Sequence, residues 1–185
     1  GRERTGLVPR LPRRVSDTDD PSGAGDDPTA SDAITEATLD HLDAVLDRWV
    51  ALIDHGRQYG LRLRGRSNRT IARESLAAAI ADDLAFVATV DEQVVGFCSL
   101  TLDTGGFERD VDRGVVENLY VDPAARGEGL GAALLDAGER RLVERGADAI
   151  AVETMVADES IRSFYEERGY RPHRLTLERR VETNR

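Results

Sequence analysis

Leu42, Val45, Leu46, Trp49, Val50 and Ile53 recur at helical spacing, which predicts an amphipathic helix over 40–55 that Gly56 ends. Ile71, Leu76 and Ile80 repeat the pattern after an Arg-rich connector, predicting a second helix to Asp83, capped by Ser67 or Asn68. The pattern then changes. Residues 86–90 and 94–102 are β-branched and aromatic around the turn "DEQ", which reads as a hairpin, and 115–122 add a third strand after the loop "DTGGFERDVDRG". Helical spacing returns at Leu130, Leu134, Gly138 and Leu142, and Gly146 stops it in a left-handed conformation. Short strands are expected at 33–38 and 149–154. Asp158 is expected to cap a short helix carrying Ile161, Phe164 and Tyr165 and ended by Gly169, and "RPHRLTLERRV" alternates as a final strand. The order is βααβββαβαβ, an α/β domain with a mixed sheet over 33–185.

Residues 1 to about 32 have no periodic apolar face. A basic stretch, "GRERTGLVPRLPRR", precedes an acidic one rich in Gly, Pro and Ser, and both are read as a disordered tail. Arg13 and Arg14 do not make an export signal, because the stretch behind them is polar. The chain opens on Gly1, read as the trimming of an initiator Met or more.

Charge narrows the partners. Thirty-five acids outnumber 25 bases, for a formal charge of -10, the wrong sign for a nucleic-acid or anionic-membrane surface. No apolar run is long enough to span a membrane. All the bases are Arg and Lys is absent, which removes Schiff-base chemistry and the P-loop Lys together. Cys98 is the only cysteine; no internal disulfide can form, in keeping with a reducing cytoplasm. Its simplest reading is a small core residue of a central strand, with an acyl-carrying nucleophile as the alternative. No cluster has metal-ligand spacing, and His41, His55 and His173 need no catalytic role.

The informative segment is "VENLYVDPAARGEGLGAALL", a strand, a Gly-rich turn and a helix start. Backbone N–H groups and a helix N-terminus converge there on one point and favour an anion. Gly127-x-Gly129-x-x-Ala132 satisfies a dinucleotide-binding spacing, with Glu153 about 20 residues on. Against that reading, "DPAAR" separates strand from turn, and only one helix and one strand follow Thr154.

Arg126-x-x-Gly129-x-Gly131 resembles the Q/R-x-x-G-x-G/A signature of the GNAT superfamily of acyl-CoA N-acyltransferases. "ENLYVDP" before it and "SFYEERGY" after it are similar to the neighbouring family segments, over roughly residues 33 to 182. The resemblance implies a mainly antiparallel mixed sheet and acetyl-CoA as the acyl donor. Arg126, Gly127, Glu128, Gly129, Leu130 and Gly131 would cradle its pyrophosphate, with Ala132 completing the helix start. Leu119 and Val121, with Tyr120 between them, would bond the pantetheine arm through their backbone, where strands 115–122 and 149–154 splay apart. Asp158 stands where the family often keeps an Asn that contacts pantetheine.

Acetyl transfer to an amine needs a base, donors for the tetrahedral oxyanion and a proton for the departing thiolate. Glu117 and Glu153, on the two strands flanking the gap, are the candidate bases, with a surface or salt-bridged glutamate as the alternative for each. Glu153 and Tyr165 match positions at which family members keep a glutamate and a proton donor; Tyr165 also fits a packing role beside Ile161 and Phe164. The run Arg57, Arg62, Arg64, Arg66, Arg69 and Arg73 is either a solvated loop or an anion-selecting lip beside the acceptor. The expected activity is direct transfer from acetyl-CoA to a small-molecule or peptide amine. The alternatives are a non-catalytic acyl-CoA sensor and a dinucleotide oxidoreductase. Whether the chain is a homodimer stays open.

Overall fold

The computed structural model describes residues 29–103 and 110–179. The tail expected over 1–32 lies outside them up to residue 28. Thr29 already belongs to a turn, its backbone N–H and Oγ1 both donating to Asp32 at 2.8 and 2.9 Å.

Five strands follow one another across the sheet in chain order: β1 (Ile34–Glu36), β2 (Ala85–Val90), β3 (Gln93–Asp103), β4 (Arg113–Val121) and β5 (Ala149–Val152). The first three pairings are antiparallel and only β4–β5 is parallel. The β2–β3 hairpin turns on Asp91 and Glu92, at φ 49° and 63°, the left-handed pair that a two-residue hairpin requires. Helices α1 (Leu42–Arg57) and α2 (Arg69–Ala81) cover one face; α3 (Leu130–Glu144) and α4 (Glu159–Glu167) cover the other.

The sheet therefore separates two cores. Val45, Leu46, Trp49, Leu76, Val87, Phe97 and Tyr120 fill the α1/α2 side. Cys98, Leu100, Val116, Leu134, Leu135, Leu142 and Tyr165 fill the α3/α4 side. Leu134, Leu135 and Leu142 are wholly buried, each contributing on the order of 2 kcal/mol. A Cβ on Gly138 would stand 3.0 Å from Leu100 and 3.2 Å from the Cys98 sulfur, so the glycine lets α3 lie close on β3.

The β3–β4 register has one irregularity that decides the geometry of the site. Ser99 pairs with Asn118 and Leu100 with Val116, leaving Glu117 as the extra residue of a β-bulge. The bulge resets the alternation, so Val116, Leu119 and Val121 all pack on the α3/α4 side.

Three expectations are corrected. Helix α1 runs through Gly56 to Arg57, and the chain reverses at Gly60, where φ is 101°. Asn68 sits at the α2 N-terminus but donates its side-chain amide backward to the Arg64 carbonyl at 2.8 Å, and no side chain caps the helix. The sixth strand expected from "RPHRLTLERRV" is not formed over 171–179; 180 and 181 lie outside the described residues. Leu175 and Leu177 are exposed. Alternation alone does not make a strand pair: β5 pairs with β4 alone, and its outer edge carries no strand among the described residues. The loop after β3 also falls outside the described residues at 104–109.

Candidate active site

The Gly-rich turn closes on the α3/α4 side of the sheet. Gly127 and Gly129 take φ 89° and 79°, the left-handed region that disfavours a side chain. Gly129 occupies the α3 N-cap position and no side chain caps the helix there, so its first-turn amides are not capped by any side chain. Uncapped first-turn amides and the helix dipole favour an anion at such a point.

Arginines hold the turn at its entry. Arg126 donates from Nε to the Val121 carbonyl at 3.0 Å and lies over the Tyr120 ring, 5.8 Å from its centroid. Arg48, on α1, reaches across to Asp122 at 2.8 Å and also donates to the Ala44 carbonyl at 3.1 Å. The Asp122 amide donates to the Val95 carbonyl at 2.7 Å. Sequence reasoning missed Arg48, because nothing local distinguishes it from any other helix-surface arginine. Its one unusual mark is a buried Nε without a partner among the described residues.

Where the gap is expected, β4 and β5 are no longer paired. The β4–β5 ladder stops at Val116 and Val152, and from Asn118 onward β4 is paired on its β3 side alone. Leu119 and Val121 lie along this edge. Tyr120 is buried in the opposite core, so only its backbone faces the gap.

Glu117 and Glu153 are each the first residue past the last paired rung, and both line one cavity of about 500 Å³. Leu102 and Val116, which pack on the α3/α4 side, also line it; Thr101, Asp103, Arg113 and Val115 are alternate residues of β3 and β4. They share the sheet face of α1 and α2, which leave this end of it uncovered. Burial raises the Glu117 carboxyl above the ordinary glutamate range, and the charge of Glu153 adds to the rise. Arg113 donates from Nε and Nη2 to Asp103 at 3.1 and 2.5 Å, so these two charges offset each other in the wall.

Tyr165 is elsewhere. It lies in the α3/α4 core, edge-on to Phe164 and Tyr170 with centroids 5.1 and 5.3 Å away. Burial holds its hydroxyl well above the usual phenol range, helped by nearby Cys98 and Glu139. The glutamates and Tyr165 therefore lie towards opposite faces of the sheet, with the end of the β4–β5 ladder at Val116 and Val152 between them. Asp158 accepts from the Ile161 amide at 3.2 Å and the Ser160 hydroxyl at 2.9 Å, so one carboxylate oxygen is engaged in capping α4. Glu128 is exposed in the turn, and Leu130 points into the core.

Four of the six arginines over 57–73 have partners. Arg69 meets Asp47 and Arg62 meets Glu178, both at 2.7 Å; Arg73 bonds Asp43, and Arg57 donates to the Leu63 carbonyl at 3.1 Å. Among the described residues no group of three or more His, Cys, Asp or Glu side chains is placed to hold a metal ion. No described helix is long and apolar enough to cross a membrane.

Only one parallel pair exists in this sheet, whereas a dinucleotide fold needs a parallel array with its crossovers. The Gly-x-Gly-x-x-Ala spacing is thus carried by a different architecture. The chain matches the acetyltransferase (GNAT) family model over residues 51–170. No curated protein matches it. Among solved structures it is similar to a GCN5-related N-acetyltransferase from Ralstonia eutropha JMP134, at 23% identity and TM-score 0.64, covering 79% of this chain and 96% of that one. It is also similar to the aminoglycoside N-acetyltransferase AAC(6')-Iy in complex with CoA, at 17% identity and TM-score 0.62, covering 81% and 94%. A transcriptional regulator from Bacillus halodurans C-125 aligns at 24% identity and TM-score 0.62, covering 80% and 98%.

Proposed function

The chain belongs to the acetyltransferase (GNAT) family, and from that premise we propose that it moves an acetyl group from acetyl-CoA directly to an amine held in the Glu117–Glu153 cavity. The observation carrying this reading is the position of that cavity. Most of its wall belongs to the sheet face opposite the Gly-rich turn, and it lies where β4 and β5 cease to pair. Donor and acceptor then approach one gap from two sides, as a ternary complex requires.

The pyrophosphate rests on the turn from Arg126 to Gly131, and the pantetheine arm lies along the β4 edge at Leu119 and Val121. The amine enters between the glutamates. Glu117 accepts its proton as nitrogen attacks the thioester carbon, backbone N–H groups of the free β4 edge hold the oxyanion, and the C–S bond breaks to release thiolate. Tyr165 donates a hydrogen bond to that sulfur. Its raised pKa makes complete proton transfer unfavourable and keeps the hydroxyl protonated throughout the working range. Cys98 supports direct transfer over an acyl-enzyme: burial, with some help from Glu139, pushes its thiol up to about 12, too high to present a thiolate.

Two measurements test this. Acetyl-CoA at about 100 times its Kd should stabilise the protein by about 2.7 kcal/mol, seen as a higher melting temperature, and NADH should not. Thiol release with a panel of amines should follow. Binding without release from any amine would identify a sensor instead.

Tyr165→Phe is expected to lower kcat about 10²-fold while sparing the melting temperature and the acetyl-CoA Kd. Full kcat in that variant, with unfolding of Tyr165→Ala, would make Tyr165 a packing residue.

A further inference from the structure

We propose that the acceptor carries a second positive charge, with Glu153 holding it while Glu117 takes the proton from the reacting nitrogen. The inference rests on the acetyl-transfer reading above and names the acceptor class of that site. The cavity and the unpaired strand edge make it a site; the charges on its wall say what it takes.

Those charges do not balance. Asp103 and Arg113 are paired with each other, which leaves Glu117 and Glu153 with no compensating cation among the lining residues. The connector between α1 and α2 passes close to Met155, two residues after Glu153: a Cβ on Gly60 would lie 3.6 Å from its methyl carbon. Within it Arg62 is held by Glu178, and at its ends Arg57 donates to the Leu63 carbonyl while Arg69 and Arg73 pair with Asp47 and Asp43. An anionic acceptor thus meets two carboxylates in the cavity wall.

The spacing sets the size. Glu117 and Glu153 each follow the last paired rung, Val116 and Val152, of adjacent parallel strands, which lie about 5 Å apart where they pair. Two ammonium groups a few bonds apart can face both carboxylates at once, and a cavity of about 500 Å³ admits such a molecule. A monocation would leave one of two neighbouring carboxylates unpaired.

The second charge also helps the chemistry. An ammonium group paired with Glu153 repels a proton on the nearby reacting nitrogen and lowers its pKa, so the free amine forms more readily. Glu117 then removes that proton, and the spectator ammonium leaves with the product.

The test compares 1,4-diaminobutane, butylamine and 4-aminobutanoate at saturating acetyl-CoA. In the wild-type protein kcat/KM should fall in that order, with the diamine about tenfold or more above the monoamine at low ionic strength and the gap narrowing in about 1 M salt. Glu153→Gln should bring the diamine-to-monoamine ratio towards one, and Glu153→Arg should favour the carboxylate-bearing amine. A ratio near one in the wild type, or one that survives Glu153→Gln, would overturn the proposal and leave acetyl transfer standing. No thiol release with any of the amines would remove the acetyl-transfer reading, and this inference with it.

Discussion

Glu117→Gln is expected to lower kcat/KM by about 10²- to 10⁴-fold, the range for a general base, without weakening the fold. The second half of that expectation follows from the direction of its pKa. The folded chain holds the Glu117 proton more tightly than the unfolded chain does, so the stability this group contributes is present while it is protonated and is lost as pH rises through the folded value. At neutral pH its ionisation works against folding. Gln keeps the shape and removes the charge, and the variant should melt no lower than the wild type.

The same shift shapes the pH profile. Activity needs the ionised carboxylate, so kcat/KM should rise with pH along a limb centred above the ordinary glutamate range. Glu153 is one cause of the elevation, and Glu153→Gln should move the limb to lower pH whatever it does to the maximum. An unchanged rate in Glu117→Gln, or a limb indifferent to Glu153, would show that Glu117 is not the base.

What could be read from residues alone divides by range. Helix faces at Leu42–Ile53 and Leu130–Leu142, the Asp158 cap and the Gly129 turn all depend on neighbours within one or two turns of chain, and they were legible. Glu117 and Glu153 were legible as candidates because each stands on a strand beside the turn. Their meeting in one cavity was not. It depends on a bulge, and a bulge is a mismatch between β4 and β3 that neither strand carries by itself. That one slip puts Glu117 with Thr101 and Asp103, and Leu119 with Tyr165's core. Arg48 escaped notice for a related reason, since its partner Asp122 is 74 residues away. The last strand failed in the opposite sense: the alternation at Leu175 and Leu177 is real, but a ladder needs a second edge.

Gly129→Asp should abolish acetyl-CoA binding while leaving the protein folded, and the two outcomes have separate causes. At φ 79° most side chains are strained, but Asp enters this region more readily than most residues. A Cβ there would meet only Ala30, at 3.5 Å, an ordinary contact. Position 129 is also the N-cap of α3, where an Asp carboxylate can accept from the first-turn amides and favour the helix dipole. The melting temperature should therefore change little. The same carboxylate would occupy the anion site from within and repel the pyrophosphate. KM for acetyl-CoA should rise about a hundredfold or more, equivalent to ~2.7 kcal/mol or above, and the ligand-induced melting shift should vanish. Gly129→Asn separates the two effects, because it caps the helix without a charge; it should bind acetyl-CoA more tightly than the Asp variant by most of that factor. If Gly129→Asp folds and binds acetyl-CoA like the wild type, the pyrophosphate does not lie on this turn.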